Sequence, residues 1–231
     1  MAAFLLSKFK IFSLICVYSF KNMNLAMMKD QSVLAQNIIE IYKKHAREWT
    51  ALRGDFLYEK VWLDQFIALF SAHSKILDLG CGSAQPIAAY LIEQGHCVTG
   101  VDSSDVMIEM AQQHFPKQCW IEADMRSVKL DETFQGILAW DSFFHLTPHD
   151  QRQMFIQFAR FSAKGTVLMF TSGFSHGEAI GDMFGEALYH ASLAPKEYTE
   201  LLYQYDFEIV KMVMNDPECA GHTVWLAQKI K

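Results

Sequence analysis

The spacing of apolar positions changes along the chain, and this change separates a helical region from a mixed one. Over residues 32–52, apolar side chains recur at intervals of three and four, which predicts a helix. The pair Arg53-Gly54 then supplies a cation and a flexible residue, both typical of a helix end. A second helix is predicted after Asp55, which can cap it, with an apolar face over residues 61–70. We therefore expect an N-terminal helical cap.

Beyond the cap, short apolar runs alternate with amphipathic segments, which is typical of a mostly parallel sheet with helices on both faces. Five strands are predicted at residues 76–79, 97–101, 119–121, 136–140 and 166–170. Helices between them are predicted to begin near Pro86, Ser104 and Thr147. Two β-rich runs at 207–214 and 222–227, joined by a turn-rich link, predict an antiparallel hairpin at the end.

Composition narrows the class of protein. With 231 residues, 51% of them hydrophobic, we expect one domain over residues 29–231, with the helical cap at 29–72 and an α/β core at 73–231. A net charge of -6 argues against a nucleic-acid partner, since such proteins cluster basic residues. Five cysteines without C-x-x-C spacing indicate a reduced, cytoplasmic setting. No close ligand spacing supports a metal site.

The first 28 residues form a separate apolar extension. Basic residues precede an apolar run at 11–20, as in a signal peptide, but no small-x-small cleavage site follows. The run is also too short to span a bilayer, so we expect no stable membrane insertion. Two other interpretations are an amphipathic anchor and a translation start at Met23, Met27 or Met28.

A glycine-rich turn follows the first predicted strand and opens a helix. Gly80 and Gly82 permit positive φ angles and close approach of the backbone to a ligand. Asp78 places a carboxylate just before them, which suits a cationic ligand and repels a pyrophosphate. The dinucleotide pattern G-x-G-x-x-G would also need glycine or alanine where Gln85 stands. A nicotinamide-dependent oxidoreductase is therefore the weaker alternative.

Three acidic residues at successive strand ends carry a family resemblance. Asp78 precedes the glycine loop by two residues, Asp102 ends the second strand, and Asp124 follows the third. With these residues, the chain from about residue 34 to residue 229 resembles class I S-adenosylmethionine-dependent methyltransferases. The resemblance implies a doubly wound, Rossmann-like α/β fold with a seven-stranded sheet, mostly parallel, closed by an antiparallel C-terminal hairpin. Ala84 departs from the family loop, which has glycine there.

The resemblance also implies S-adenosylmethionine as the cofactor and a set of residues that bind it. Asp102 would accept the ribose hydroxyls and Asp124 the adenine amino group. The expected cofactor-binding residues are Asp78, Gly80, Cys81, Gly82, Asp102, Ser103, Asp124, Met125 and Trp140. Alternatives stay open: the Asp102 segment can be a helix cap, Asp124 can pair with Arg126, and Trp140 can be core.

The segment after the fourth strand is the expected place of methyl transfer to a small-molecule acceptor. Asp141 and His145 are the catalytic candidates, His145 as a general base or as a residue that only orders the loop. Glycines over residues 172–192 predict a loop, either a lid over the acceptor or a purely structural one. Residues considered for acceptor binding are Phe144, Arg53, Tyr189, His190 and His222. A non-catalytic cofactor-binding relative is the remaining alternative.

Overall fold

The computed structural model describes residues 31–231, and a seven-stranded sheet forms its centre. The strands are β1 (Lys75–Leu79), β2 (Cys97–Asp102), β3 (Cys119–Glu122), β4 (Phe134–Ala139), β5 (Ser162–Ser172), β6 (Gly177–Met183), β7 (Glu186–Ser192), β8 (Phe207–Asp216) and β9 (His222–Lys229). Their order in the main sheet is β3-β2-β1-β4-β5-β9-β8. Strands β1 to β5 are parallel, and β9 runs antiparallel to both of its neighbours. The predicted fold class is confirmed.

Six α-helices accompany the strands in residues 31–231. They are α1 (Gln31–Arg53), α2 (Lys60–Ile67), α3 (Ile87–Glu93), α4 (Asp105–His114), α5 (Pro148–Arg160) and α6 (Pro195–Gln204). Two predicted caps are confirmed: Ser104 Oγ accepts the Met107 N–H, and Thr147 Oγ1 accepts the Asp150 N–H. The prediction that Asp55 caps the second helix is wrong, because α2 begins only after Glu59.

Two apolar cores lie on the two faces of the sheet. One face packs a dense aromatic cluster, in which Phe143 contacts Phe155, Phe158 and Phe170. The other face packs aliphatic strand residues against α2, through Trp62 and other buried side chains. Each fully buried large apolar side chain contributes roughly 1.5–3 kcal/mol, so the sheet is a firm base for the loops at its carboxyl edge.

The sequence predicted a loop over residues 172–192. That prediction is wrong, because the segment contains a second, two-stranded sheet. β6 and β7 pair antiparallel across a turn at Phe184-Gly185, where both residues have positive φ angles. Glycines in β6 weaken the strand pattern in the sequence. Gly181 lies opposite Leu188, and a Cβ on Gly181 would come within 3.2 Å of the His190 ring. Glycine therefore makes room for a neighbouring side chain rather than marking a flexible lid.

Helix α1 and the β6–β7 hairpin share a small apolar core of their own. Ile38 and Ile41 of α1 are buried together with Met183, Leu188 and Tyr189 of the hairpin. Since α1 also contacts α4, it crosses above the carboxyl edge of the main sheet.

The predicted extension over residues 1–28 lies outside the described residues. Within residues 31–231, no helix is both long enough and apolar enough to cross a membrane.

Candidate active site

A cavity of about 250 Å³ opens at the carboxyl ends of β1, β2 and β4, where α/β sheets commonly bind ligands. Apolar and aromatic side chains of α1 line its other side: Ile38, Tyr42 and Trp49 are among them. All nine predicted cofactor residues line this cavity, and so do the catalytic candidates Asp141 and His145. The structure therefore brings together residues that are up to 67 positions apart in the sequence.

The glycine loop is held in shape by its own backbone. Gly80 has a φ of 81°, and its N–H donates to the Val101 carbonyl at 2.7 Å. A Cβ on Gly80 would lie 2.2 Å from the Ser142 Cβ, so no larger residue fits. Ala84 has a left-handed conformation that favours glycine, with a φ of 66°, at a cost of roughly 1–2 kcal/mol.

Asp102 ties the loop to β2 through both of its carboxylate oxygens. Oδ2 accepts the Gly82 N–H and Oδ1 accepts the Ser104 N–H, each at 2.9 Å. The helix-cap interpretation of this segment applies to Ser104, whereas Ser103 donates to the Ala123 carbonyl at 3.3 Å. Each oxygen of Asp102 retains a lone pair for a ligand hydroxyl.

Asp124 lines the cavity and is also paired with Arg126. Arg126 Nε lies 3.0 Å from both carboxylate oxygens, and its Nη1 donates to Asp150 at 2.9 Å. Burial opposes the charge, but the hydrogen bonds from Arg126 hold the pKa of Asp124 below its usual value. The predicted alternative of an ion pair is thus real, and it leaves the carboxylate charged at the cavity wall.

Asp78 is almost completely buried beneath the loop, with 4% of its surface exposed. Burial raises the pKa of Asp78 to about 7, and the nearby charge of Asp102 adds to this effect. A cation in the cavity would favour the charged form of this carboxylate.

His145 does not face the cavity alone, because Tyr42 from α1 lies against it. The Tyr189 carbonyl is 2.8 Å from Nδ1 and can only accept, so Nδ1 carries the proton. Nε2 then accepts from the Tyr42 hydroxyl, which is 2.9 Å away. Burial lowers the pKa of His145 to about 4, so the ring is neutral at pH 7. The sequence did not link Tyr42 to His145, since 103 positions separate them.

Asp141 is committed to a buried network. Its carboxylate accepts from the Tyr58 hydroxyl at 3.1 Å and lies 2.7 Å from His222 Nε2. The other ring nitrogen of His222 faces the Cys219 carbonyl at 2.8 Å, so both nitrogens face acceptors and the ring is an imidazolium. Burial is the largest single effect and favours a neutral Asp141, but His222, Arg53 and the Tyr58 hydrogen bond together lower the pKa of Asp141. The geometry therefore argues against Asp141 as a base and suits it to positioning.

Arg53 and Glu59 form a second buried pair on the same wall. Arg53 Nη2 lies 2.5 Å from Glu59 Oε1, and the guanidinium stands 4.7 Å above the Tyr58 ring. Glu59 is fully buried, and its Oε2 has no hydrogen-bond partner among residues 31–231. Trp140 Nε1 is likewise unpartnered in this part of the chain.

Part of this site lies in a segment that matches a known protein family. Residues 76–165 match the model of a family described as methyltransferase domain. A curated relative, YqeM of Bacillus subtilis (strain 168), is 29% identical over 150 residues. Its name describes it as an inferred methyltransferase. The match covers 62% of this chain, and the chain spans 60% of that relative.

Solved structures extend the likeness in fold beyond the methyltransferase domain model. The 1,6-didemethyltoxoflavin-N1-methyltransferase of Burkholderia thailandensis, bound to 1,6-didemethyltoxoflavin and S-adenosylhomocysteine, superposes with a TM-score of 0.66 at 19% identity. The superposition covers 91% of this chain and 93% of that one. The glycopeptide N-methyltransferase MtfA with S-adenosylmethionine has a TM-score of 0.62 at 13% identity, covering 76% of this chain and 95% of that one. The match over residues 76–165 agrees with the predicted methyltransferase family, and these structures confirm the predicted Rossmann-like fold.

The main cavity offers the groups that S-adenosylmethionine would need. Asp102 provides paired acceptors for ribose hydroxyls, and Asp124 provides a charged acceptor farther along the same edge. Asp78 and Glu59 supply buried carboxylates for a cation, and Arg53 supplies the cation for a carboxylate. The residues present therefore fit an adenosyl amino acid.

The residues expected to bind the acceptor are divided among different places. Arg53 lines the main cavity, whereas Phe144, His190 and His222 line a second cavity of about 120 Å³. Tyr189 lines neither of these two cavities, and its hydroxyl donates to Glu178 at 2.5 Å. Burial lowers the pKa of His190 to about 3, with His145 adding to it, so His190 is neutral at pH 7.

Proposed function

We propose that the protein is an S-adenosylmethionine-dependent methyltransferase that acts on a small-molecule acceptor in the cytoplasm. The observation that carries this proposal is one cavity that joins the three acidic strand ends to the Tyr42–His145 pair. Reduced thiols support the location: the cysteines described within residues 31–231 are all free.

The cofactor would lie along the carboxyl edge of the sheet. Asp124 and the backbone of Met125 would meet the adenine, and Asp102 would meet the ribose. Gly80 and Gly82 would let the backbone approach the ligand closely. Bound there, S-adenosylmethionine supplies an activated methyl group on a sulfonium. Holding the acceptor atom in line with that methyl group supplies on the order of 7–11 kcal/mol of the rate enhancement.

Charge at the cavity wall favours an acceptor that is not an anion. Carboxylates on the wall outnumber cations, and Arg53 and Arg126 each already pair with a carboxylate. Apolar side chains of α1, such as Ile39 and Trp49, face the same space. We therefore expect an uncharged or cationic acceptor with a flat or apolar body. The Burkholderia structure contains a small molecule, 1,6-didemethyltoxoflavin, which is consistent with a small-molecule acceptor.

Tyr42 and His145 provide a route for a proton if the acceptor must lose one. The acceptor N–H or O–H would donate to the Tyr42 oxygen while the Tyr42 proton passes to His145 Nε2. The Tyr189 carbonyl holds Nδ1–H in place, which leaves Nε2 as the accepting nitrogen. The base would thus act through Tyr42 and not directly on the acceptor.

The test is methyl transfer from labelled S-adenosylmethionine to a metabolite extract. We expect a labelled small molecule with the native protein and its loss with Asp102→Asn, which removes a charged acceptor for the ribose. Product formation that survives Asp102→Asn unchanged would contradict the assigned site. No labelled product across a broad extract, with cofactor binding intact, would support the non-catalytic alternative instead.

A further inference from the structure

Two residues that line the main cavity carry a buried polar atom without a partner among residues 31–231. Four buried side-chain atoms in residues 31–231 have no hydrogen-bond partner, and two of them belong to residues that line the main cavity. These are Oε2 of Glu59, an acceptor, and Nε1 of Trp140, a donor. Glu59 is 0% exposed and Trp140 is 4% exposed, so neither is solvated from outside. Unpaired buried polar groups are costly, and native proteins keep them mainly where a ligand or water completes them.

A row of ring contacts connects the Arg53–Glu59 pair to Trp140. Arg53 covers Tyr58, the Tyr58 ring lies 5.8 Å from the His222 ring, and His222 lies 5.8 Å from Trp140. Two ion pairs lie along this row, Arg53 with Glu59 and His222 with Asp141, and each pair balances its own charge. One unpartnered acceptor and one unpartnered donor beside such pairs complement a zwitterion better than a simple anion or cation.

We propose that Glu59 and Trp140 bind the amino acid end of the cofactor: Glu59 Oε2 accepts from the α-ammonium, and Trp140 Nε1–H donates to the α-carboxylate. This inference rests on the proposed function, because it needs an S-adenosyl amino acid in the cavity. Arg53, fixed by Glu59 Oε1, adds the cation on the carboxylate side. Glu59 then links both halves of the zwitterion site, with one oxygen on Arg53 and the other on the ligand.

Asp78 is the competing carboxylate for the ammonium. Both side chains are buried and line the same cavity. Burial raises the pKa of each, but Arg53 opposes this shift at Glu59, whereas Asp102 reinforces it at Asp78. The ion pair with Arg53 favours the charged form of Glu59, and Asp78 has no such partner among residues 31–231.

The experiment measures the binding of three ligands by calorimetry at neutral pH. S-adenosylhomocysteine carries the whole amino acid, an analogue without the α-amino group carries only the carboxylate, and 5′-methylthioadenosine carries neither. The variants are Glu59→Gln and Trp140→Phe, with Asp78→Asn as the matched loss of a buried carboxylate from the same cavity.

We expect Glu59→Gln to weaken S-adenosylhomocysteine by about tenfold or more while changing the affinity for the deaminated analogue and for 5′-methylthioadenosine by less than about threefold. Trp140→Phe should weaken both carboxylate-bearing ligands and spare 5′-methylthioadenosine. Equal weakening of all three ligands by Glu59→Gln, or an ammonium-selective loss at Asp78 with none at Glu59, would overturn the proposal.

The native protein gives a result that does not depend on how the variants fold. It should bind S-adenosylhomocysteine at least about tenfold more tightly than either truncated ligand. Equal affinity for all three ligands would show that no zwitterion site exists, even though the cofactor binds. Failure of every adenosyl ligand to bind would instead refute the proposed function.

Discussion

Asp78 is predicted to destabilise the protein in the absence of a ligand. Its carboxylate is buried, and its pKa rises from an ordinary 3.8 to about 7 because of burial and the charge of Asp102. A raised folded-state pKa means that stability is greatest below the unfolded pKa and is lost as pH rises through the folded pKa. The linkage relation puts the full loss at no more than about 4 kcal/mol above pH 7.

Asp78→Asn removes this charge with little change in shape. We expect the variant to be more stable than the native protein at about pH 8, and the advantage to shrink by about 2–3 kcal/mol at about pH 5. Urea unfolding of both proteins at the two pH values, without ligand, measures the difference. An advantage that does not change with pH, or a variant that is less stable at about pH 8, would refute the reasoning.

Three further predictions concern the loop, the proton route and the buried pair. Gly80→Ala should abolish S-adenosylhomocysteine binding, because the new Cβ would lie 2.2 Å from the Ser142 Cβ. Gly165→Ala, also at positive φ but with open space around it, should keep binding. Calorimetry on both variants measures the difference. Tyr42→Phe should lower turnover of an acceptor that loses a proton by at least about tenfold with cofactor affinity unchanged, and equal turnover in a labelled-methyl assay would remove Tyr42 from the proton route. His222→Ala should cost about 3–5 kcal/mol in urea unfolding by leaving Asp141 buried without its cation, and a loss below about 1 kcal/mol would show that the pair is not ionised.

The sequence predicted the elements that depend on local signals. Ser104 and Thr147 are helix caps because a short hydroxyl side chain satisfies an exposed N–H wherever a helix begins. The sequence predicts that three acidic residues meet in space, because parallel strands end at one edge of the sheet. These residues are Asp78, Asp102 and Asp124. Those parts of the site follow from the order of elements along the chain.

The contacts that the sequence did not reveal are those made across long separations. Tyr42 meets His145 across 103 positions, and Trp62 meets Asp216 across 154, with no local pattern to signal either pair. The β6–β7 hairpin was missed because Gly181 interrupts its strand pattern to admit His190. The sequence does not indicate that Glu59 has a buried, unpartnered oxygen, because that depends on how the side chains pack.

Calorimetric titration of the native protein with S-adenosylhomocysteine and, separately, with NADH distinguishes the two kinds of cofactor. We expect saturable binding of S-adenosylhomocysteine that Asp102→Asn weakens by about tenfold or more, and no binding of NADH in the same range. Saturable binding of NADH alone would contradict the account, since it would mean that the acidic cavity accepts a pyrophosphate.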